Sequence, residues 1–331
     1  MISNRFSSLL LTGGTGSFGQ AFLAHVLAHA PELQRIVIFS RDELKQYEQQ
    51  RAFPKYLYPQ LEWVLGDIRD RDSILRACRG IDVVVHAAAL KQVPTGEMHP
   101  EAFVKTNIDG TRNLIEASLA QNVRQVLALS TSKAVAPLNL YGATKLCADK
   151  LLLAANNIHA NECRFSVLRC GNIFGSRGSV VPLFWELKSS GRVPVTHPEM
   201  TRFHITLDRL NECAVQVLRT ARGGEIYIPQ SSSYRIVDLA KAVAPDAEID
   251  WIGIRPGEKL HEEMIPQADA HWIRKLNAFY VQYSPLLFDR LPPPSVAEPV
   301  AEDFSYTSDK NPDFLTVDDL RKLVLASPFA S

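Results

Sequence analysis

The feature that most constrains this fold is a short apolar strand running directly into closely spaced glycines. Ser8-Leu9-Leu10-Leu11 is followed by Thr12-Gly13-Gly14-Thr15-Gly16-Ser17-Phe18-Gly19, and residues 18–30 read as a helix. Strand, glycine turn and helix in that order open a dinucleotide-binding parallel sheet. Gly13 permits the tight turn, Gly16 lets the backbone approach a pyrophosphate, and Gly19 allows close helix–sheet packing. The helix N-terminus then offers amide donors to the phosphates, with Thr12, Thr15, Ser17 and Phe18 flanking the site.

The same rhythm continues through the first half. Strands are expected at 35–39, 61–65, 81–86 running on to end at Ala87-Ala88-Ala89, 125–129 and 165–168. Helices are expected at 41–51, 100–121 and 140–156. Near-continuous apolar strands separated by helices predict an α/β fold, a doubly wound parallel sheet covered on both faces. At 331 residues the chain exceeds one ordinary core, so a smaller C-terminal lobe is expected. The divisions are 1–171 for a Rossmann domain to which later segments return, 172–285 for a substrate lobe, and 286–331 for a tail. In that tail Pro292-Pro293-Pro294 reads as a semi-rigid connector to a helix at 317–325.

Lys plus Arg and Asp plus Glu both number 36, which argues against a nucleic-acid binder or a polybasic membrane anchor. Cys78, Cys147, Cys163, Cys170 and Cys213 are scattered, without a C-x-x-C pair, and read as reduced thiols of a cytoplasmic protein. No apolar run reaches the roughly 20 residues that span a bilayer. His86, His204 and His261 lack metal-ligand spacing, so no metal is expected.

A second motif carries chemistry. In Tyr141-Gly142-Ala143-Thr144-Lys145 a helix places Tyr141 and Lys145 on one face, one turn apart. A free phenol, with a pKa of about 10, is a poor base at neutral pH; a neighbouring ammonium and a nicotinamide cation favour the phenolate. It then takes a proton from an alcohol while hydride leaves the same carbon. Strand two ends at Ser40-Arg41, a pair suited to the 2′-phosphate of NADP, with NAD the less favoured alternative. Asp42 and Glu43 follow and are the groups that would instead reach a ribose diol. Asp67 and Ile68 are expected over the adenine by analogy with the superfamily, and Asp67 equally suits a helix N-cap.

The G-x-x-G-x-x-G spacing points to the short-chain dehydrogenase/reductase superfamily, extended type, and longer motifs narrow it. These are Ser40-Arg41-Asp42-Glu43-Leu44-Lys45, Ala87-Ala88-Ala89-Leu90-Lys91, Lys105-Thr106-Asn107, Asn139-Leu140-Tyr141-Gly142-Ala143-Thr144-Lys145 and Gly175-Ser176-Arg177-Gly178-Ser179-Val180-Val181-Pro182. Met200-Thr201-Arg202-Phe203 and Arg255-Pro256-Gly257-Glu258-Lys259-Leu260-His261-Glu262 follow in order. Over residues 5–285 the chain resembles the inverting UDP-N-acetylglucosamine 4,6-dehydratase family, whose product enters pseudaminic acid synthesis.

The resemblance implies a redox cycle in one pocket. Tyr141 and Lys145, helped by Thr131 or Ser130, would oxidise C4 of the sugar; a base removes the acidified C5 hydrogen; water leaves from C6; the hydride returns there. Reprotonation of C5 from the opposite face inverts it. Ala87, Ala88, Ala89, Lys91 and Asn107 are expected near the cofactor. Lys91, Asn172, Val180, Arg202, Arg255 and Glu258 are expected to hold the UDP-sugar. An assembly of identical copies is expected.

The family's strand-five motif is Ser-Thr-Asp-Lys, with the Asp as acid for the leaving hydroxyl and the Lys as base at C5. This chain has Ser130-Thr131-Ser132-Lys133. Lys133 fits; Ser132 is a far weaker acid than the family's Asp. Another group or a water takes the Asp's place, or a substitution stalls the reaction, or the chain is a UDP-N-acetylhexosamine 4-epimerase. In another class stands a catalytically silent NADP sensor.

Overall fold

The computed structural model describes residues 6–159, 162–289 and 291–327. The first half alternates as its apolar runs dictate: β1 (Ser8–Thr12), α1 (Ser17–His29), β2 (Arg35–Ser40), α2 (Glu43–Ala52), β3 (Leu61–Leu65), α3 (Arg71–Ala77) and β4 (Val83–His86). Then come α4 (Val93–Met98), α5 (Pro100–Phe103), α6 (Gly110–Ala120), β5 (Gln125–Thr131), α7 (Leu140–His159) and β6 (Arg164–Cys170). The six strands lie in the order β3-β2-β1-β4-β5-β6, all parallel. The strand order reverses between β1 and β4, which opens a crevice beyond their C-terminal ends. β1 and β4 are buried throughout, and apolar side chains pack on both faces of the sheet.

Two expected helices differ. The helix expected at 41–51 starts at Glu43, because the Asp42 side chain caps it by accepting from the Lys45 amide at 3.0 Å. Arg41 therefore stands outside the helix. The helix expected at 100–121 is divided by a π-turn at Val104–Asp109. Asn107 sits in that turn and holds both the amide and the carbonyl of Leu90, each at 2.9 Å, and the Thr144 hydroxyl at 3.0 Å. A widened turn lets one side chain clamp the loop after β4 to α7.

The sheet continues beyond β6. Glu225–Pro229 joins it in parallel, and Phe279–Tyr283, Ile273–Leu276 and Glu298–Pro299 add an antiparallel edge, making ten strands. The lobe is built on the helices Val180–Leu187, Ile236–Val243 and Val317–Leu325 around Phe184, Tyr234, Leu239 and Leu320. Its small sheets pair Thr201–Ile205 with Asn172–Ile173 and with Ser233–Arg235, and Arg192–Val195 with Glu248–Trp251. Downstream of the three prolines, Glu298–Pro299 pairs with the main sheet and Tyr306–Thr307 with Glu263–Ile265. The tail thus touches both parts of the molecule.

Candidate active site

The predicted dinucleotide residues gather along one end of the sheet. Gly13 has φ +68°, and a Cβ there would lie 2.7 Å from the Ala88 amide nitrogen, so β1 and the loop after β4 meet backbone to backbone. At Gly19 a Cβ would lie 2.5 Å from Gly14 Cα. Gly16 is the N-cap of α1 and places no side chain on the first-turn amides, which leaves them open to an anion. Thr12 is buried and pairs with His86 Nδ1 at 2.7 Å, while burial drives His86 down to about 3 and keeps it neutral. His86 is a packing group beneath the turn. This cradle fits a dinucleotide pyrophosphate.

At the end of β2, Ser40 is buried and its hydroxyl accepts from Gln46 Nε2 at 3.0 Å, whereas Arg41 is exposed. Asp42 is committed to its cap and to an ion pair with Lys45. Asp67 faces Arg69, which binds it through Nε and Nη2; that hydrogen bonding holds its carboxyl below the usual range. The N-cap of α3 is Asp70, not Asp67. Ile68 is buried against α6, where a Cβ on Gly110 would come within 2.8 Å of it. One contact was not read from sequence. Arg177, in the lobe, donates its backbone N–H to Ser17 Oγ at 3.2 Å and its Nη2 to Gln20 at 3.0 Å, spanning the start of α1.

The reactive wall is assembled by β5 and α7. After Thr131 the chain makes a tight turn at Ser132–Ala134, and α7 packs directly on it: a Cβ on Gly142 would lie 2.1 Å from the Lys133 carbonyl oxygen. The glycine following Tyr141 is therefore what lets the helix approach. Asn139 fixes the helix start, its side chain accepting from the Gly142 amide and donating to Gly257 O, both at 2.8 Å.

Thr131 is the hydroxyl bonded to Tyr141, while Ser130 donates instead to the buried Asp149 at 2.7 Å. Within the protein alone the phenol is shifted up rather than down. Burial pushes the phenol above its ordinary value of 10.0, and the Thr131 hydrogen bond opposes the rise. Lys145 is buried, which lowers its pKa, and donates to the Leu129 carbonyl at 2.7 Å. Desolvation is the larger of the two effects on Tyr141.

A cavity of about 580 Å³ opens against this wall. It is lined by Thr131, Lys133 and Tyr141 and by every residue assigned to the sugar: Lys91, Asn172, Val180, Arg202, Arg255 and Glu258. That size is in the range of small-ligand pockets. Burial, then the charge of Lys133, lowers the pKa of Lys91. Arg202 is not a free fork: its Nη1 donates to the Thr201 and Leu260 carbonyls at 2.7 and 3.1 Å. Arg255 lies at the exposed mouth in an ion pair with Glu258.

Lys133 has a partner that sequence reasoning missed. Its Nζ donates to Glu262 Oε1 at 2.8 Å and to Asn172 Oδ1 at 3.4 Å. Glu262 is buried; burial alone would raise its pKa, but Lys133 and then Arg202 outweigh that and hold it at about 2. Glu262 closes the Arg255-to-Glu262 motif already quoted, and its position there was the available signal.

Residues 9–284 match the model of a family described as polysaccharide biosynthesis protein. A UDP-N-acetylglucosamine 4,6-dehydratase (inverting) of Campylobacter jejuni is 43% identical over 327 residues, 96% of this chain and 97% of that protein. A UDP-glucose 4-epimerase of Rickettsia canadensis is 37% identical over 82% of each chain. Among solved structures, the X-ray structure of Pen from Bacillus thuringiensis superposes with a TM-score of 0.89 at 33% identity, covering 96% of this chain and 97% of that one. The chain belongs to the polysaccharide biosynthesis protein family and, within it, to the family of inverting UDP-N-acetylglucosamine 4,6-dehydratases.

Proposed function

We propose that the protein is an NADP-dependent UDP-N-acetylglucosamine 4,6-dehydratase that inverts C5 and yields a 6-deoxy-4-keto sugar. The observation that carries this reading is the convergence of Tyr141, Thr131 and Lys133 on one cavity wall. A phenol suffices for oxidation and reduction at C4; elimination across C5 and C6 needs a second base, and Lys133 stands on the same wall. Lys133 is therefore the feature that favours dehydratase over epimerase, although an epimerase relative also matches.

The nicotinamide, when bound, supplies a reversible two-electron acceptor for the sugar carbon. Tyr141 removes the C4 hydroxyl proton, with Thr131 holding the phenol in line. Lys133 acts at C5, and its bonds to Glu262 and Asn172 support that reading. Asn172, Val180, Arg255 and Glu258 line the remainder of the cavity and hold the UDP-sugar. NADP is the cofactor proposed because Arg41 is exposed at the end of β2 while Asp42 is engaged as a cap.

The test is mass spectrometry of UDP-N-acetylglucosamine incubated with the protein and NADP. Loss of one water supports dehydration. An unchanged mass with inverted C4 stereochemistry identifies an epimerase, and no change with tight NADP binding identifies a sensor.

A further inference from the structure

The family resemblance expects a carboxylic acid at position 132, and Ser132 does not replace it. Its side chain is wholly buried behind the cavity wall, and its hydroxyl is turned to the Glu262 carboxylate. Three carboxylates do line the cavity. Glu186 is exposed and Glu258 is paired with Arg255 at the mouth; Glu262 alone lies against Lys133. Its Oε1 accepts from Lys133, with Arg202 Nε at 3.6 Å, and the Ser132 hydroxyl is the neutral group beside the same buried carboxylate. Its backbone is pinned by exchange with Ser308, Glu262 N to Ser308 Oγ at 2.9 Å and Ser308 N to Glu262 O at 2.8 Å. A carboxylate is costly to bury, and one held against a lysine on the wall of a cavity calls for an explanation.

We propose that Glu262 is the carboxyl group that completes the elimination, sharing one proton with Lys133 and delivering it to the leaving hydroxyl. The proposal rests on the dehydratase reading. An ammonium and a carboxylate together carry no net charge and one mobile proton, as do a neutral amine and a carboxylic acid. Filling the cavity with nucleotide-sugar expels water, and a drier site disfavours the charged form of the pair. The proton then passes from Lys133 to Glu262 along the 2.8 Å bond that already joins them.

From that state the step balances within the pair. The Lys133 amine takes the C5 proton of the 4-keto sugar, and the C5–H electron pair forms the C5–C6 double bond. The C6–O bond breaks, and the leaving oxygen takes the Glu262 proton and departs as water. Lys133 ends as ammonium and Glu262 as carboxylate, the pair the structure shows. No outside acid is needed, and Ser132 need not reach the substrate.

The experiment uses the full chain with NADP and UDP-N-acetylglucosamine in deuterated water. It follows near-ultraviolet absorbance of reduced nicotinamide, loss of water by mass, and deuterium at C5. In Glu262→Gln, reduced nicotinamide should still form while water loss falls by about a hundredfold or more, the usual range for removing a general acid. Water loss at the native rate overturns the proposal. Should Glu262→Gln not fold, Glu262→Asp decides, since it keeps the negative charge but withdraws the carboxyl by one methylene. It should slow water loss by at least about tenfold with C4 oxidation preserved; native behaviour overturns the proposal. If the native chain forms no reduced nicotinamide and loses no water, the dehydratase reading itself falls, an outcome that needs no variant to recognise.

Discussion

Glu262 Oε1 lies 2.8 Å from Lys133 Nζ across 129 residues of sequence, joining the lobe to the end of β5. A carboxyl held at about 2, against an ordinary 4.5, stabilises the fold above pH 4.5 and loses that contribution as pH falls towards 2. Lys133→Met removes the nearer of its two cations. It should destabilise the protein at pH 7 by about 3 kcal/mol, at the low end for a broken buried pair because Arg202 remains. The deficit should shrink at pH 5, where the unpaired carboxyl takes up a proton. Urea melts giving the same deficit at both pH values would refute the assignment.

Tyr141→Phe keeps the ring and its packing but removes the hydroxyl that Thr131 orients. Dinucleotide affinity should stay within about threefold, while reduced nicotinamide on adding UDP-sugar falls by at least the hundredfold typical of a lost general base. Substantial turnover would remove Tyr141 from the role of base.

Arg41→Ala deletes an exposed cation at the end of β2. It should weaken NADP by roughly tenfold or more, as expected for a charge-assisted hydrogen bond, and leave NAD nearly unchanged. Titration calorimetry with both dinucleotides checks this; equal losses would show that Arg41 does not read the 2′-phosphate.

Ser132→Asp would set a second carboxylate into a fully buried position beside Glu262. Two like charges there push one pKa up, so the folded protein holds a proton that the unfolded chain releases above about pH 4. The melting temperature should drop relative to native, and more at pH 8 than at pH 5. A drop independent of pH would mean that the two carboxyls do not meet.

Gly13→Ala meets backbone on both sides: Ala88 N at 2.7 Å and the Ala87 carbonyl carbon at 2.8 Å, at φ +68°. Neither neighbour is a side chain able to rotate away. The variant should lose at least 2 to 3 kcal/mol, roughly the cost of a left-handed non-glycine residue plus a forced backbone shift. A melt matching native would refute the close approach.

The strands β1 to β6 were legible because a parallel sheet covered on both faces leaves uninterrupted apolar runs. Apart from β4, which stops at His86, short of the expected end at Ala87-Ala88-Ala89, their observed ends fall within two residues of those expected. The lobe left no such mark. Asn172–Ile173 is two residues long, and Glu248–Trp251 is mostly exposed, so neither has a periodicity to read. The break at Val104–Asp109 was hidden because a π-turn barely alters helical spacing; what marks it is Asn107, whose three bonds are long-range. Tyr141 and Lys133 stood in recognisable local motifs, whereas the Lys133–Glu262 contact exists only after the chain has folded.

The Arg177 bridge has a bearing on how the protein handles its dinucleotide. By holding Ser17 and Gln20, the lobe lies across the start of the helix whose open first-turn amides suit a pyrophosphate. In the proposed dehydratase, that clasp would tie the lobe to the edge of the dinucleotide cradle. An ordinary dehydrogenase must surrender its spent coenzyme every cycle and would be slowed by such a fastening. In a reaction whose second half restores the coenzyme to its first oxidation state, nothing need be exchanged but the sugar, and the clasp can stay shut through many turnovers.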